Sequence, residues 1–391
     1  MQDADIEDAG ADAAPDVYDA GPPPDPRSLI RLEGRWDTTL PLQPRVAYPG
    51  ARITLRFTGT GITLRLTEKA SYRSYAGTSQ YALRVDGVDQ PNLVTVISPP
   101  TPADKQETRD YPLAAGLAPG EHVVELVRRT EAEFGSTRID DVMVEDGAML
   151  PPPPRPPHRI EFVGASNSLG YGIEASRFDE PPCEHTASNE NWEKAFPARI
   201  AARFDAEVQA AVYSGKGVYY NSYRPDPLTL VPMYDRAIPA EPLSVFDAST
   251  FAAEAVVIDA GGNDYAVSNT DDYPSVEQVQ GAYAQLVAKV RAAHPQAHIF
   301  CTLSPSVNDD YPYYQLLPDP KPSVMVRTKL RTAINAVIAA RHEQNDDAIE
   351  LFEFAQAGND QHTACHFHPS PALQQTMATA LGNRISQVMG W

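Results

Sequence analysis

Four short segments of the sequence carry the residue types that acyl transfer requires. A serine hydroxyl can attack a carbonyl carbon, an imidazole can accept the serine proton, and amide N–H groups can hold the oxyanion that forms. The segments are centred on Ser166, Gly215, Asn263 and His368, and each lies at or near the end of a predicted strand. The set indicates nucleophilic catalysis by Ser166, with His368 as the general base.

Each segment also has a simpler interpretation. Ser166 is a good helix N-cap, Gly215 is compatible with a plain turn, and Asn263 next to Asp264 is typical of an Asn/Asp turn. One segment alone would not separate these interpretations from catalysis. The occurrence of all four in one chain, in this order, favours catalysis.

The elements that would position these residues follow from the apolar pattern of residues 158–391. Strands are predicted at 159–164, 208–212, 255–260, 298–303 and 349–354. Helices are predicted at 276–293, 324–341 and 371–388, and another from Trp192 to Phe204, which Pro197 starts or kinks. This alternation indicates a doubly wound α/β domain with a parallel sheet, in which ligands bind at the carboxyl ends of the strands.

The first part of the chain has a different pattern. Apolar residues alternate with polar ones across residues 29–150, between turns such as Thr58-Gly59-Thr60-Gly61, so this part is predicted to be an antiparallel β-sandwich. Residues 151–157 are almost all proline and are expected to form a semi-rigid spacer. Residues 1–28 are acidic and rich in Ala, Gly and Pro, so this tail is expected to be disordered.

Charge and composition exclude some classes of partner. The net charge of −20 argues against nucleic-acid binding, which requires a basic surface. The sequence contains no apolar run of the ~20 residues needed to span a bilayer. The tail is similar to the tether that follows a bacterial lipoprotein or secretory signal. The protein is therefore expected to be exported to the periplasm, cell surface or medium, with a possible lipid anchor outside this sequence and no cofactor or metal.

The four segments resemble the conserved blocks of the SGNH/GDSL hydrolase superfamily. That resemblance implies that Ser166 is the nucleophile, that Gly215 and Asn263 complete an oxyanion hole with the Ser166 N–H, and that His368, which precedes Pro369, is the base. The sandwich, including 45–50 and 57–60, followed by polyproline and an SGNH domain, is similar to carbohydrate esterase family 2. That family joins a jelly roll to an SGNH domain and deacetylates plant polysaccharides such as xylan and mannan.

Two positions depart from the superfamily pattern. Ala165 replaces the aspartate that usually precedes the nucleophile, and Cys365 and His366 occupy the places of the triad aspartate. We therefore expect a Ser–His dyad in which a backbone carbonyl from residues 362–367 or a neighbouring strand end orients His368, with His366 pointing elsewhere. Asp360 is the alternative orienting group.

Further expectations concern the aromatic residues and the thiols. Aromatic rings stack on sugar faces, so some of Tyr171, Tyr219, Tyr220 and Tyr265 are expected to line the cleft, whereas Trp192 has helical spacing that favours the core. If sequential strands are neighbours, Cys301 could form a disulfide with Cys365 and leave Cys183 free.

Two other functions fit part of the sequence. The missing aspartate would suit a carbohydrate-binding protein whose catalysis has decayed. His362, Cys365, His366 and His368 offer metal-ligand types at close spacing, although a catalytic histidine loop has the same appearance.

Overall fold

A computed structural model describes residues 24–70, 78–97, 105–266, 272–309 and 325–391. The chain forms an antiparallel β-sandwich followed by an α/β/α domain with a parallel sheet, which confirms the predicted fold class. Most of the predicted disordered tail lies outside the described residues, as does residue 324 of one predicted helix. Within the described ranges, no helix is both long enough and apolar enough to span a bilayer.

The N-terminal domain consists of two antiparallel sheets, one in the order β1-β4-β10-β6-β7 with β12 and β8 on its flanks, the other in the order β2-β3-β11-β5-β9. Alternate residues of both sheets, such as Leu55, Leu64 and Leu126, are fully buried between them. The strands are β1 Arg31–Glu33, β2 Trp36–Asp37, β3 Arg45–Val46, β4 Arg52–Gly59, β5 Gly61–Lys69, β6 Ser79–Val85, β7 Val88–Asp89, β8 Val94–Val96, β9 Gln106–Ala114, β10 Gly120–Arg128, β11 Ser136–Glu145 and β12 Ala148–Leu150.

The C-terminal domain contains one parallel sheet in the order β14-β13-β15-β16-β17. Its strands are β13 His158–Gly164, β14 Ala206–Val212, β15 Ala255–Asp259, β16 His298–Leu303 and β17 Ile349–Glu353. Its helices are α1 Ser166–Leu169, α2 Phe196–Phe204, α3 Leu230–Met233, α4 Val276–Ala293, α5 Val326–His342 and α6 Pro371–Met389. Successive side chains of β15 enter different cores: Val256 and Ile258 pack with α4 and α5, and Val257 packs with α2 and α6.

The sequence pattern located these elements to within a few residues. The clearest difference is the stretch from Trp192 to Phe204, where a short 3₁₀ turn at Trp192–Lys194 precedes α2. Pro197 lies in the first turn of α2, where the missing N–H costs no helical hydrogen bond. It therefore starts the helix rather than kinking it.

The two domains are in direct contact rather than held apart. Arg35 of the sandwich donates to the carboxylate of Glu161 on β13 at 2.7 Å, and both side chains are fully buried. Glu161 also accepts from Gln209 at 2.5 Å and from the Tyr234 hydroxyl at 2.7 Å. Burial opposes ionisation of Glu161, but the Arg35 charge, His294 at 3.0 Å and the Tyr234 hydroxyl lower its pKa to about 2. The carboxylate therefore remains charged in the interior.

The polyproline segment, expected to be a semi-rigid spacer between the domains, is hydrogen-bonded to the sandwich. Arg31 donates to the carbonyls of Pro153 and Pro154, both at 2.8 Å, and Arg56 donates to the carbonyl of Pro151 at 3.2 Å. Proline carbonyls have no internal partners in an extended polyproline chain, so they are available to such donors.

Replacing Arg35 by methionine should lower the free energy of unfolding by about 3–5 kcal/mol, because it leaves Glu161 buried without its cation. Chemical denaturation monitored by fluorescence measures this. Arg65→Met is the control, because the Arg65–Asp110 pair is solvent-exposed and its loss should change stability little. Equal losses in the two variants would contradict a special role for the buried pair.

Candidate active site

Ser166 lies where β13 ends and α1 begins, so its side chain is at the carboxyl edge of the sheet. Polar side chains hold this turn in place. Asn167 donates to Ser304 at 2.9 Å, and its carbonyl accepts from Gln374 at 2.8 Å. The buried Asp259, at the end of β15, accepts from the Ser168 hydroxyl at 3.0 Å. The nucleophile loop is thus tied to β15, to the segment after β16 and to α6.

The second loop follows β14 and presents Gly215 in a left-handed conformation, with φ of 74°. A side chain on this residue would be strained there and would meet the Ser222 hydroxyl at 2.7 Å, so the position requires glycine. The segment that contains Asn263 holds this second loop in its conformation. Its buried Asp264 accepts hydrogen bonds from the backbone N–H groups of Val218 at 3.0 Å and Tyr219 at 2.7 Å. Burial raises the pKa of Asp264 to about 6, which these bonds partly oppose.

Asn263 follows β15 and lines the same cavity as Ser166 and Gly215. Its side-chain amide donates to the Lys216 carbonyl at 3.0 Å, which fixes the amide against the second loop. An asparagine amide has two N–H donors, so this bond leaves a second one for a ligand. The three predicted oxyanion groups therefore surround one cavity, whose volume is about 1170 Å³.

His368 lies in the loop between β17 and α6 and lines that cavity. Its Nδ1 is 2.9 Å from the Cys365 carbonyl, which is the kind of backbone contact that the sequence predicted from residues 362–367. Burial lowers the pKa of His368 to about 4, which the Cys365 carbonyl partly opposes and His366 reinforces. The ring is therefore neutral at ordinary pH, as a general base must be.

Tyr171 lies against the ring of His368, with the two ring centroids 4.2 Å apart. Its hydroxyl is 2.8 Å from Nδ1 of His366, so that nitrogen faces Tyr171, whereas the Cys365 carbonyl contacts Nδ1 of His368. His366 and Phe367 both have left-handed backbone conformations, with φ of 51° and 58°. Such conformations are strained in residues other than glycine and are held by surrounding contacts.

For two of the aromatic residues expected to line the cleft, the sequence-based prediction was wrong. Tyr265 is fully buried in the core beneath α4 and α5, and Tyr219 points to α4, where its hydroxyl accepts from Gln278 at 2.9 Å. A residue next to a site loop points either into the cleft or into the protein, and sequence spacing does not distinguish these. Trp192 lies in the core, as its spacing suggested, and Tyr171 is the predicted ring that lines the cavity.

The expected disulfide was also wrong. Cys183 and Cys365 form the bond, and Cys301 is a buried free thiol. On β16 the Cys301 side chain faces α4 and α5, whereas the histidine loop crosses to the end of β13. There the Cys365 N–H donates to Gly172 at 3.2 Å, and a Cβ on Gly172 would come within 2.5 Å of that of Cys365.

The four residues considered as metal ligands in the histidine loop have other partners. Cys365 is in the disulfide, His362 pairs with Ser306 at 2.8 Å, and the contacts of His366 and His368 are given above. Another group, Glu131, His185 and Glu190, has ligand atoms that all lie within 4.8 Å of one another. Burial opposes protonation of His185, but these two carboxylates raise its pKa to about 10. A metal ion would have to displace that proton.

Sequence analysis missed several residues that build the site, namely Glu131, Asp259, Asp264, His185 and Gln374. Asp259 and Asp264 flank the Gly261-Gly262-Asn263 segment, so their position was a signal that could have been used. Glu131 comes from the sandwich, and nothing in the local pattern connects it with the catalytic loops. It reaches the site through the packing of the two domains.

Peptide mapping without reductant should recover a peptide pair linked through Cys183 and Cys365, with Cys301 alkylated only after unfolding. Cys183→Ser should lower the free energy of unfolding by about 2–5 kcal/mol, because the bond joins residues 182 positions apart and restricts the unfolded chain. A linked pair containing Cys301 would contradict this assignment.

Comparison with known proteins agrees with both domains. Residues 32–154 match the carbohydrate esterase 2 N-terminal family, and residues 162–376 match the GDSL-like lipase/acylhydrolase family. The chain is 27% identical to the cellulase/esterase CelE of Acetivibrio thermocellus over 95% of its own length, but spans only 41% of that protein. It is 25% identical to an acetylxylan esterase/glucomannan deacetylase of Cellvibrio japonicus, over 74% of this chain and 76% of that one.

Solved structures give the same result for the fold. A family two carbohydrate esterase from Clostridium thermocellum in complex with cellohexaose superposes with a TM-score of 0.77 at 26% identity, covering 93% of this chain and 99% of that one. A family two carbohydrate esterase from Cellvibrio japonicus has a TM-score of 0.76 at 20% identity, covering 94% and 96%. The chain thus belongs to the GDSL-like lipase/acylhydrolase family, in the two-domain form of the family 2 carbohydrate esterases.

Proposed function

We propose that this protein is an exported serine esterase that removes O-acetyl groups from plant polysaccharide such as xylan, mannan or glucomannan. The observation that carries the proposal is that Ser166, Gly215, Asn263 and His368 line one cavity, with a carbonyl on Nδ1 of His368. The names of the relatives support the substrate class.

The reaction proceeds in two steps. The Ser166 oxygen attacks the acetyl carbonyl carbon while Nε2 of His368 takes the hydroxyl proton, and the N–H groups of Ser166, Gly215 and Asn263 hold the oxyanion. The carbon–oxygen bond to the sugar breaks, and His368 returns the proton to the leaving sugar hydroxyl. Water then attacks the acetyl-Ser166 carbonyl in the same way and releases acetate.

A Ser–His dyad fits the contacts of His368. A base needs one tautomer and one orientation. The Cys365 carbonyl accepts a hydrogen bond from Nδ1–H, which leaves Nε2 as the acceptor. A carbonyl stabilises the imidazolium less than a carboxylate does, in keeping with the lowered pKa of His368. The alternative of a decayed, binding-only protein rested on the missing aspartate, and the Cys365 carbonyl at Nδ1 supports catalysis instead.

Export is supported by the disulfide, because such bonds persist mainly in oxidising compartments. A carbohydrate substrate is supported by Tyr171 and Phe367, which both line the cavity and place aromatic surface on its wall.

Ser166→Ala should abolish acetate release from acetylated xylan, acetylated glucomannan and a chromogenic acetate, because it removes the attacking oxygen. Asn263→Ala should lower kcat by ~10²–10³-fold, as for loss of one oxyanion donor. Acetate quantification and circular dichroism on the same samples measure rate and folding. Wild-type turnover in folded Ser166→Ala would contradict the proposal of a serine esterase with Ser166 as its nucleophile.

The pH dependence should reflect the lowered pKa of His368. The neutral ring is the active base, so kcat/KM should hold well below pH 6.5 and fall by half only near pH 4. Brief assays with a chromogenic acetate across this range, each followed by a return to neutral pH to verify reversibility, measure the profile. An acid limb centred between pH 6 and 7 would contradict the buried, uncompensated base.

A further inference from the structure

The loop between β10 and β11 extends from the sandwich into the catalytic domain. The Arg129 carbonyl accepts from the Trp192 N–H at 3.2 Å, and the Arg129 side chain pairs with Glu174 at 2.8 Å. Two residues further on, the fully buried Glu131 accepts a hydrogen bond from the backbone N–H of Ser214 at 2.7 Å. The N-terminal domain therefore contacts the residue directly before Gly215.

The peptide between Ser214 and Gly215 carries the Gly215 N–H of the proposed oxyanion hole. Hydrogen bonds hold the peptides on both sides of it: Glu131 accepts from the Ser214 N–H, and the Ser222 N–H donates to the Gly215 carbonyl at 2.8 Å. A hydrogen bond to a carboxylate is stronger and shorter than one to a neutral acceptor. Such preorganisation matters because an oxyanion donor acts only if it already points at the developing charge.

A carboxylate this close to an oxyanion hole would also repel the oxyanion, unless its charge is cancelled. His185 supplies the compensating cation, with Nε2 3.5 Å from Glu131 and 3.1 Å from Glu190. The second oxygen of Glu190 accepts from the Glu131 N–H at 2.9 Å, which holds the group together. Burial opposes ionisation of both carboxyl groups. His185 nevertheless lowers the pKa of Glu131, whereas the charge of Glu131 adds to burial in raising the pKa of Glu190.

The group of Glu131, His185 and Glu190 also contacts Tyr171, the residue that packs against His368. The ring of His185 lies 4.5 Å from that of Tyr171, which also packs against His368 at 4.2 Å. A cation near an aromatic ring is attracted to it, so the imidazolium supports the ring that packs against the base.

We propose that Glu131, compensated by His185, is a positioning residue of the N-terminal domain that orients the Ser214–Gly215 peptide for oxyanion binding. The inference rests on the proposed esterase function. It assigns the sandwich a part in the chemical step, in addition to any role in holding carbohydrate.

The test is the Glu131→Gln variant of the full chain, assayed with a chromogenic acetate. The amide removes the charge and places a donor where His185 requires an acceptor, so kcat should fall at least tenfold while KM changes by less than about twofold. Inhibition by a boronic acid that forms a tetrahedral adduct with Ser166 should weaken by a similar factor, because that adduct carries the oxyanion charge.

Glu161→Gln is the matched control, since it removes an equally buried carboxylate at the domain contact away from the cavity. Its thermal midpoint should fall while kcat per folded molecule remains unchanged. In an Asn263→Ala background, Glu131→Gln should cost clearly less than in the wild type, because both act on the same oxyanion.

An unchanged kcat in Glu131→Gln, or costs that multiply independently with those of Asn263→Ala, would overturn the proposal. If Glu131→Gln does not fold, His185→Gln provides the same measurement, because it leaves the carboxylate uncompensated and should lower kcat and boronic acid affinity together. Wild-type kcat in His185→Gln would contradict the proposal. Failure of the esterase function itself is distinct, since wild-type activity would then not depend on Ser166.

Discussion

The buried ion pair between Arg35 and Glu161 determines how the two domains are joined. Glu161 lies on β13, the strand that ends at the nucleophile loop, and its carboxylate is satisfied by groups from both domains. Burying a charge without partners is strongly unfavourable, so the strand and the sandwich must meet in one arrangement. Glu131 reaches the loop of Ser214 and Gly215 at another part of the same domain contact.

Buried carboxyl groups also determine how the active-site loops are held. Asp259 and Asp264 lie at the ends of the strand and turn that carry Asn263, and each uses its oxygens to hold a neighbouring loop. His368, the proposed base, is held by a carbonyl from its own loop, which the disulfide to Cys183 attaches to the segment following Gly172. Orientation of the catalytic groups is therefore distributed over several polar contacts and one covalent bond.

Local patterns predicted the fold and the four residues that line one cavity, because each depends on short stretches of sequence. The four are Ser166, Gly215, Asn263 and His368. The helix Val276–Ala293 and the strand His298–Leu303 appear at the predicted bounds, since apolar periodicity determines both. The partner of Cys365, the inward orientation of Tyr265 and the role of Glu131 could not be predicted in this way. Each depends on which loops meet across the sheet, and that is decided by tertiary packing.

The contacts between domains also restrict how such proteins can be recombined. The polyproline stretch looks like a natural boundary at which one sandwich could be exchanged for another. Two of its carbonyls, however, are bound by Arg31 of the sandwich. Beyond it, the buried Glu161 of the catalytic domain is paired with Arg35 of the sandwich. In a chimera made at that boundary, the new sandwich would have to carry a cationic residue at the position of Arg35 and a carboxylate at that of Glu131. Inheritance of the two domains as one unit is the expected evolutionary consequence.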